Sequence, residues 1–228
     1  MIPASNAALA NLEAASAPYR VYRAILEGLY RGKYVAGQRL VEADLVREFK
    51  VARGSIREGL NRLAAEGVVT LSFNRGAQIR LLTRAEAMDI LAVGEALIAL
   101  AARLAAGKIM VADNRKVLRE SFDRLLAFKA AGDSFEFARA RNAFYRALVH
   151  IGGNRELARL VPGVQINLIR TQFRDYQSRD ARLHDFQLIA DAVSQGSAPK
   201  AALAVRRHFK SVLAAIAELP DDVFAPEH

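Results

Sequence analysis

The fold is decided by the stretch Val51-Ala52-Arg53-Gly54-Ser55-Ile56-Arg57-Glu58-Gly59-Leu60, which separates apolar from charged positions at helical spacing. Ile56, Leu60 and Leu63 recur every three to four residues and predict the core-facing side of a helix. Gly67 marks the end of this helix, because glycine readily adopts the left-handed conformation that follows a last helical turn. The stretch therefore predicts one short amphipathic helix.

The opposite face of this helix carries two arginines. Arg53 and Arg57 are four residues apart and share one exposed face, with Ser55 beside them. A helix in the major groove reads base edges with side chains near its start, and guanidinium groups bind guanine or phosphate through paired hydrogen bonds. The alternative is a solvated face on which Glu58 pairs with Arg62 one turn later.

The residues around this helix predict two earlier helices and a later hairpin. The first helix is predicted at about 18–31, and a second short one around Leu45. Two β-biased runs, 68–73 and 77–82, are joined by Asn74-Arg75-Gly76, whose Asn and Gly tolerate the positive φ of a tight turn. The order helix, helix, turn, helix, hairpin places Arg75 at a tip that reaches the backbone or minor groove of DNA.

From Thr83 onward the sequence predicts helices alone. Thr83 and Glu86 form a capping box, which starts a new helix. Its apolar face is predicted to run through Ile90, Leu97, Leu100 and Leu104. Further helices are predicted at about 112–130, 134–151, 154–177, 180–194 and 199–217. Pro162 predicts a kink in the third of these, and the tail from Pro220 is predicted to be loose.

Length and composition indicate two globular domains. The chain has 228 residues, of which 52% are hydrophobic and 25% charged, and this excludes wholesale disorder. The absence of cysteine excludes disulfides and thiolate metal sites and favours the cytoplasm. The apolar segment 90–106 is interrupted by Glu95 and Arg103, so no membrane span and no membrane partner are predicted. Residues 1–17 lack the basic start of a signal peptide and are predicted to form a flexible arm.

The net charge favours a polyanionic partner. The chain carries a formal charge of +9 and has a pI of about 10.2. Residues 1–82 hold 12 Lys and Arg against 7 Asp and Glu, so the charge density is higher in the amino-terminal third. Cationic side chains that neutralise phosphates release condensed counterions, which favours binding to nucleic acid.

The amino-terminal third resembles the winged helix-turn-helix of GntR-type transcriptional regulators. The resemblance runs from about 21 to 82, in the order and spacing of that family, and is carried by Gly37-Gln38-Arg39-Leu40, Leu45, 51–60, Leu63, Glu66-Gly67-Val68-Val69 and Asn74-Arg75-Gly76. Contacts with operator DNA are implied by this resemblance for Arg53, Gly54, Ser55, Arg57, Arg75 and Gly76.

Two positions depart from the family pattern. Ala52 stands where the family usually has Ser or Thr, so the helix cap is lost, and Ser55 with Glu58 is an alternative, later cap. Ala43 stands where some relatives carry an Arg after a Glu. One phosphate contact of those relatives is therefore expected to be absent.

The remainder, about 86–218, resembles the FCD effector domain of the FadR branch of GntR regulators. The matching residues are Phe144, Arg146-Ala147-Leu148, Gly153-Asn154, Leu157, Asp191-Ala192-Val193, Gly196 and 205–209. Many FCD domains bind a metal through one Asp and three His, and those positions fall here on Arg141, Tyr145, Phe186 and His208. Only His208 supplies a metal ligand, so neither a metal nor another cofactor is predicted. His150 and His184 are interpreted as ordinary helix residues.

The same four positions predict a metal-free effector pocket. Arg141 and the hydroxyl of Tyr145 share a helical face and suit a carboxylate, while Phe186 packs an apolar body and His208 lies opposite. Gly94 and Ile98, where relatives often have Arg and Glu, make the pocket more apolar. The alternative is that Arg141 is a surface residue and that Tyr145 and Phe186 belong to the core.

Together these observations predict a mainly α protein. It has an arm at 1–17, a winged helix-turn-helix at 18–82 with its reading helices at about 42–66 and its wing at 68–82, an all-α bundle at 83–218 and a tail at 219–228. The predicted function is a ligand-responsive transcription factor, not an enzyme, that binds palindromic double-stranded operator DNA as a homodimer.

Two other functions remain open at this point. The first is a helical-bundle enzyme that uses His150, His184 or His208 for acid-base chemistry with Asp185 or Asp191. The second is a protein that packages nucleic acid without sequence preference, which predicts a steep salt dependence.

Overall fold

A computed structural model describes residues 16–72, 76–128, 135–161, 169, 172–173 and 179–227. Contacts between residues divide the chain into two compact units, 1–81 and 82–228. Each unit buries its own hydrophobic core. The first unit combines helices with a small sheet, and every regular element described in the second unit is helical.

The amino-terminal unit has the predicted order of elements. Its elements are α1 (Ala17–Arg31), β1 (Arg39–Leu40), α2 (Glu42–Phe49), α3 (Arg53–Ala65), β2 (Val69–Ser72) and β3 (Gly76–Ile79). The strands form an antiparallel sheet in the order β1-β3-β2. The two-residue strand β1 lies at the end of a predicted loop, and its register pairs Arg39 with Gln78. The mainly α fold class with a winged helix-turn-helix is thus confirmed.

The core of this unit joins α1 to α3. Ile25 of α1 and Ile56 of α3 are completely buried. Gly59 permits the close contact, because a Cβ at this position would lie 2.9 Å from Cγ1 of Val21. The Tyr22 hydroxyl donates a 2.8 Å hydrogen bond to Glu66, and burial together with the Glu66 carboxylate raises the pKa of Tyr22. This tyrosine therefore stays a neutral donor at any physiological pH.

The hairpin depends on Gly76. Its φ is +83°, and a Cβ here would lie 2.7 Å from the carbonyl oxygen of Leu40. No other residue fits this combination of backbone conformation and strand proximity without strain. Residues 73–75, which include the predicted wing tip Arg75, lie outside the described part of the chain.

The carboxy-terminal unit is a helical bundle. Its described helices are α4 (Arg84–Lys108), α5 (Asn114–Ala127), α6 (Phe135–Gly152), α7 (Arg155–Leu160), α8 (Arg179–Ser194) and α9 (Ala198–Ala217). The capping box predicted at Thr83 and Glu86 is confirmed, since each side chain bonds the other's backbone N–H. Pro162, where a kink was predicted, lies outside the described residues.

The predicted apolar face of α4 packs against the core, although its residues lie at the edge of the core rather than at its centre. The predicted residues Ile90, Leu97, Leu100 and Leu104 are only half-buried. The residues that face the core are Leu91, Ile98, Ala101, Ala102 and Ala105. Because alanine side chains are small, these residues let α6 and α9 pack closely against α4.

By length and composition α4 would also pass as a membrane-spanning helix, contrary to the prediction from Glu95 and Arg103. Ordinary core helices of globular proteins share this composition, and one side of α4 lies in the core cluster.

The tail, predicted to be loose, is anchored. Phe224 is buried and stacks on Phe173, with ring centroids 4.8 Å apart. The backbone N–H of Ala225 donates a 2.9 Å hydrogen bond to the carbonyl of Leu82. Arg84 lies 4.2 Å from the Phe224 ring and donates hydrogen bonds to Ile216 O, Ala217 O, Leu219 O and Asp221 Oδ1. The tail therefore packs against Leu82 and Arg84, the first residues of the second unit.

Candidate functional site

The start of α3 presents two guanidinium groups to solvent. The side chains of Arg53 and Arg57 are 65% and 62% exposed. Both approach the carboxylate of Glu42, the first residue of α2. Arg57 Nε lies 3.1 and 3.0 Å from its two oxygens, and Arg53 Nε lies 3.8 Å from Oε2. Because the two cations share one acid at the surface, a net positive charge remains at this end of the helix.

The same helix end carries no side-chain cap. α3 begins at Arg53, and its N-cap, Ala52, makes no capping hydrogen bond. The later start that Ser55 and Glu58 would have provided is therefore wrong. Gly54 is exposed, and a Cβ on it would meet no atom within 4 Å. The first turn thus combines backbone N–H groups that no side chain caps, the positive end of the helix dipole and a residue without a side chain.

Arg62 has a structural role on the other side of α3. Its guanidinium lies 5.2 Å from the ring centroid of Tyr19 and 5.0 Å from that of Tyr22, and the two rings stack on each other. This cation–π arrangement ties α1 to α3. Arg62 remains exposed, as the alternative of a solvated face expected, but the contacts described for it are with these two rings rather than with Glu58.

A polar chain runs through the carboxy-terminal bundle. Asp185 Oδ2 of α8 lies 2.9 Å from His208 Nδ1 of α9, and His208 Nε2 lies 3.5 Å from the hydroxyl of Tyr145 on α6. Since a carboxylate only accepts hydrogen bonds, His208 Nδ1 carries a proton. In the neutral ring Nε2 is then an acceptor directed at Tyr145.

Aromatic rings surround this chain. Phe186 is fully buried, and its ring centroid lies 5.0 Å from that of His208 and 5.8 Å from that of Tyr145. Phe144 packs edge-on against Phe186 at 5.7 Å. The structure therefore brings Tyr145, Phe186 and His208 together. All three also belong to the core or contact it, so the core interpretation of Tyr145 and Phe186 also fits.

Arg141 is buried in the same helix, one turn before Tyr145. Its relative exposure is 0%, so the alternative that it is a surface residue is wrong. Its Nε and Nη2 lie 3.4 and 3.3 Å from the side-chain oxygen of Asn142. A second buried arginine, Arg182 of α8, lies 5.7 Å from the Phe137 ring and was not predicted from the sequence. Its position one turn before Phe186 was the only signal for it.

The other histidines lie apart from this cluster. His150 and His184 are exposed on their helices. Within the described ranges, no group of three or more His, Asp or Glu side chains is arranged to hold a metal ion. Asp191, the second proposed carboxylate partner, accepts a 2.8 Å hydrogen bond from Gln187.

Two family models match this chain, one for each unit. Residues 19–79 match the model described as bacterial regulatory proteins, gntR family, and residues 89–211 match the FCD domain. The Nta operon transcriptional regulator of Aminobacter aminovorans is 30% identical over 183 residues, covering 78% of this chain and 85% of the relative. The chain belongs to the GntR family of bacterial regulatory proteins.

Solved structures agree with the fold of this GntR-family regulator. A putative transcriptional regulator GntR from Rhodococcus sp. RHA1 superposes with a TM-score of 0.72 at 20% identity, covering 89% of this chain and 98% of the other. E. coli McbR/YncC gives the same TM-score at 15% identity, covering 90% and 98%. At these identities the likeness concerns the fold alone.

Family membership decides between the classes of function. The regulator combines a GntR DNA-binding domain with an FCD effector-binding domain, and it is a transcriptional regulator rather than an enzyme. Its general partners are therefore DNA and a small-molecule effector. The Asp185–His208 pair, which acid-base catalysis would have required, lies instead in an effector-binding domain.

Proposed function

We propose that this regulator acts in the cytoplasm as a homodimer that binds a palindromic operator, and that an effector in the metal-free bundle modulates this binding. The proposed DNA contacts are Arg53, Gly54, Ser55, Arg57, Arg75 and Gly76. The proposed effector contacts are Arg141, Tyr145, Phe186 and His208.

The observation that carries the DNA proposal is the open first turn of α3. Exposed ion pairs such as those of Arg53 and Arg57 with Glu42 contribute about 0–1 kcal/mol, so phosphate or a guanine edge readily replaces the carboxylate. Backbone N–H groups at a helix start bind phosphate when no side chain caps them, and the missing side chain of Gly54 lets the backbone approach the DNA. A single helix of this length covers only one half-site, which favours a two-fold symmetric protein on a palindrome.

The effector proposal rests on the mixed chemistry around His208. Asp185 fixes its tautomer, so that Nε2 and the Tyr145 hydroxyl offer an acceptor and a donor side by side. The rings of Phe144 and Phe186 supply an apolar wall, and Arg141 supplies a buried positive charge one turn away. A small organic acid with an apolar body matches this combination.

Fluorescence anisotropy with DNA from upstream of its own gene tests the DNA proposal. The double variant R53A/R57A is expected to lose roughly 100-fold or more in affinity, because two base or phosphate contacts disappear. The matched control is R119A/R206A, which removes two exposed arginines from the second unit and should leave affinity within about twofold. Equal losses in both variants would indicate non-specific charge attraction and contradict the reading helix.

Native mass spectrometry followed by thermal shifts tests the effector proposal. A co-purifying or added organic acid should raise the melting temperature of wild type, as any ligand of the folded state does. Y145F, which deletes one buried hydroxyl, should reduce this shift. The control Y30F replaces a half-buried tyrosine of the first unit and should retain the shift. Full retention by Y145F would contradict the proposed contacts.

A further inference from the structure

A groove lies on the surface of the second unit, between the outer sides of α8 and α9. We call it the α8–α9 groove. Its volume is about 440 Å³. Pockets that hold small organic ligands measure roughly 300–1,000 Å³, so the groove is large enough for such a ligand. Apart from two alanines, its lining consists of Leu188, Asp191 and Gln195 of α8 and Lys200, Leu203 and Arg207 of α9.

The middle of the groove is apolar although it faces solvent. Leu188 is 39% exposed and Leu203 is 47% exposed, and the two come from different helices. Single exposed leucines are common on protein surfaces, but here two of them line one concave surface. The groove therefore suits a ligand that has an apolar body.

Two cations flank the apolar part on the α9 side. Lys200 and Arg207 are seven residues apart, which places them on one face of the helix and about 10 Å apart along its axis. Leu203 lies between them. Both cations are exposed, and within the part of the chain that the structure describes neither makes a hydrogen bond or an ion pair. Their charges are thus available to a ligand that has an anionic group at each end.

The acid of the groove does not neutralise these cations. Asp191 lies on the α8 side, where it accepts a 2.8 Å hydrogen bond from Gln187, one turn earlier on the same helix. Among the described residues, no ion pair joins Asp191 to Lys200 or Arg207. Two cations against one carboxylate leave an excess of positive charge in the groove, and this excess favours an anionic ligand.

A small ligand fits the groove better than DNA or a membrane does. The phosphate backbone of DNA carries closely spaced charges and offers no apolar contact to Leu188 and Leu203. An anionic membrane would place its headgroups against Asp191 as well as against the two cations. The two leucines also line a concave surface, whereas a helix that binds a membrane inserts a protruding apolar face.

We propose that the α8–α9 groove binds a linear organic diacid, with its carboxylates at Lys200 and Arg207 and its apolar chain on Leu188 and Leu203. This site is distinct from the proposed effector contacts. His208 is buried on the core side of α9, whereas the two cations and Leu203 are exposed on the outer side. The α9 helix then contacts a different ligand on each side.

Isothermal titration calorimetry of the full chain with sebacate tests the proposal. Sebacate is a linear diacid whose extended chain matches the spacing of the two cations. It should bind wild type, and K200A/R207A should weaken its binding by roughly fivefold or more, because both charged contacts are lost. The matched control R206A/K210A removes two exposed cations of the same helix that do not line the groove, and it should change the affinity by less than about twofold. A wild type that does not bind sebacate, or equal losses in the two double variants, would overturn the proposal.

Related acids test whether both ends of the ligand are held. Succinate is too short to reach both cations, and decanoate has only one carboxylate. Each should bind wild type at least about threefold more weakly than sebacate does, and in K200A/R207A this preference for sebacate should disappear. Equal affinity of wild type for all three acids would overturn the assignment of a diacid.

The apolar contact is tested by L203A, which should weaken sebacate binding by roughly threefold. The control L160A truncates a leucine of α7 that is 54% exposed and lies outside the groove, and it should bind as wild type does. Circular dichroism checks that each variant folds. Equal binding by L203A and wild type would contradict the apolar contact.

Two further outcomes assign the ligand to another place. Sebacate binding that Y145F weakens and K200A/R207A does not would locate the acid inside the bundle and overturn the groove. Binding of wild type to phosphatidylglycerol vesicles or to DNA without an operator, lost in K200A/R207A but kept in R206A/K210A, would overturn the proposal of a small ligand if sebacate does not bind.

Discussion

The two units of this regulator place arginine in opposite environments. In the first unit Arg53 and Arg57 are mostly exposed and share one surface carboxylate. In the second, Arg141 and Arg182 are buried among helices. An exposed guanidinium can change partners at little cost, while a buried one is part of the packing. Substitutions in the first unit should therefore change binding without changing stability, and those in the second should change both.

The largest effect is expected for F186A. Removal of a completely buried ring leaves a cavity between α6, α8 and α9 and should lower the free energy of unfolding by about 3–5 kcal/mol. Urea denaturation followed by circular dichroism measures this. The control is L126A, which truncates a side chain that is 37% exposed. It should lower the free energy of unfolding by less than about 1 kcal/mol. An equal loss of unfolding free energy in F186A and L126A would contradict the core position of Phe186.

The next effect concerns binding. R57A should weaken operator binding by about 1–3 kcal/mol, because one bidentate base or phosphate contact is lost. The free energy of unfolding should change by less than about 0.5 kcal/mol, since the lost pair with Glu42 is exposed. Anisotropy and urea denaturation on one preparation test both parts. If R57A strongly lowered the free energy of unfolding, the contrast between exposed arginines in the first unit and buried ones in the second would not hold.

D185N examines the buried polar chain. The amide cannot replace the carboxylate as an anionic acceptor for His208 Nδ1–H, so the free energy of unfolding should fall by about 1–3 kcal/mol. The effector-induced thermal shift should also decrease, because the histidine tautomer is no longer fixed. The control D191N alters a carboxylate on the exposed side of the same helix. If D185N kept both the free energy of unfolding and the effector-induced thermal shift of wild type, the Asp185–His208 pair would have no positioning role.

E42Q should strengthen operator binding. Removing the acid that holds Arg53 and Arg57 frees both for phosphate, with an expected gain of up to about 1 kcal/mol. The dependence of affinity on salt should become steeper. E27Q, whose carboxylate pairs with Arg31 at the far end of α1, is the matched control. Weaker binding by E42Q would mean that Glu42 orients the arginines rather than competing for them.

The smallest effect is expected for G54A. Alanine should raise the free energy of unfolding by about 0.5 kcal/mol, because nothing surrounds the new methyl group and alanine favours the helix. Operator binding should nevertheless weaken, since the methyl group keeps the backbone from the DNA. The control G107A lies in a similarly open position on α4. Operator binding equal to wild type would exclude close backbone approach at residue 54.

The amino-terminal unit was predictable because its signals are local. The helical spacing of Ile56, Leu60 and Leu63 and the positive φ of Gly76 depend on neighbouring residues only. The resemblance of the sequence to GntR regulators added the roles of individual residues. The missing cap at Ala52 and a helix start at Arg53 were both inferred from the sequence, and the structure removes the later start at Ser55 that was left open.

The carboxy-terminal bundle was less predictable because helix packing decides it. The alanines of α4 look neutral in a hydrophobic pattern, yet Ala101, Ala102 and Ala105 form the surface on which other helices pack. Arg141 and Arg182 look like surface residues until the helices around them are assembled. The juxtaposition of Tyr145, Phe186 and His208 was reached by resemblance, since nothing in their spacing brings three different helices together.

The anchored tail has a practical consequence for anyone who edits this gene. The side chain of Arg84 is 30% exposed and donates hydrogen bonds to four oxygen atoms of residues 216–221. The backbone N–H of Ala225 donates a hydrogen bond to the carbonyl of Leu82, where the second unit begins. A premature stop codon at residue 219 would remove two of the hydrogen-bond acceptors of Arg84, Leu219 O and Asp221 Oδ1, although Arg84 lies far from the stop codon in the sequence. Shortening of the chain at this end is therefore expected to loosen the beginning of the second unit as well.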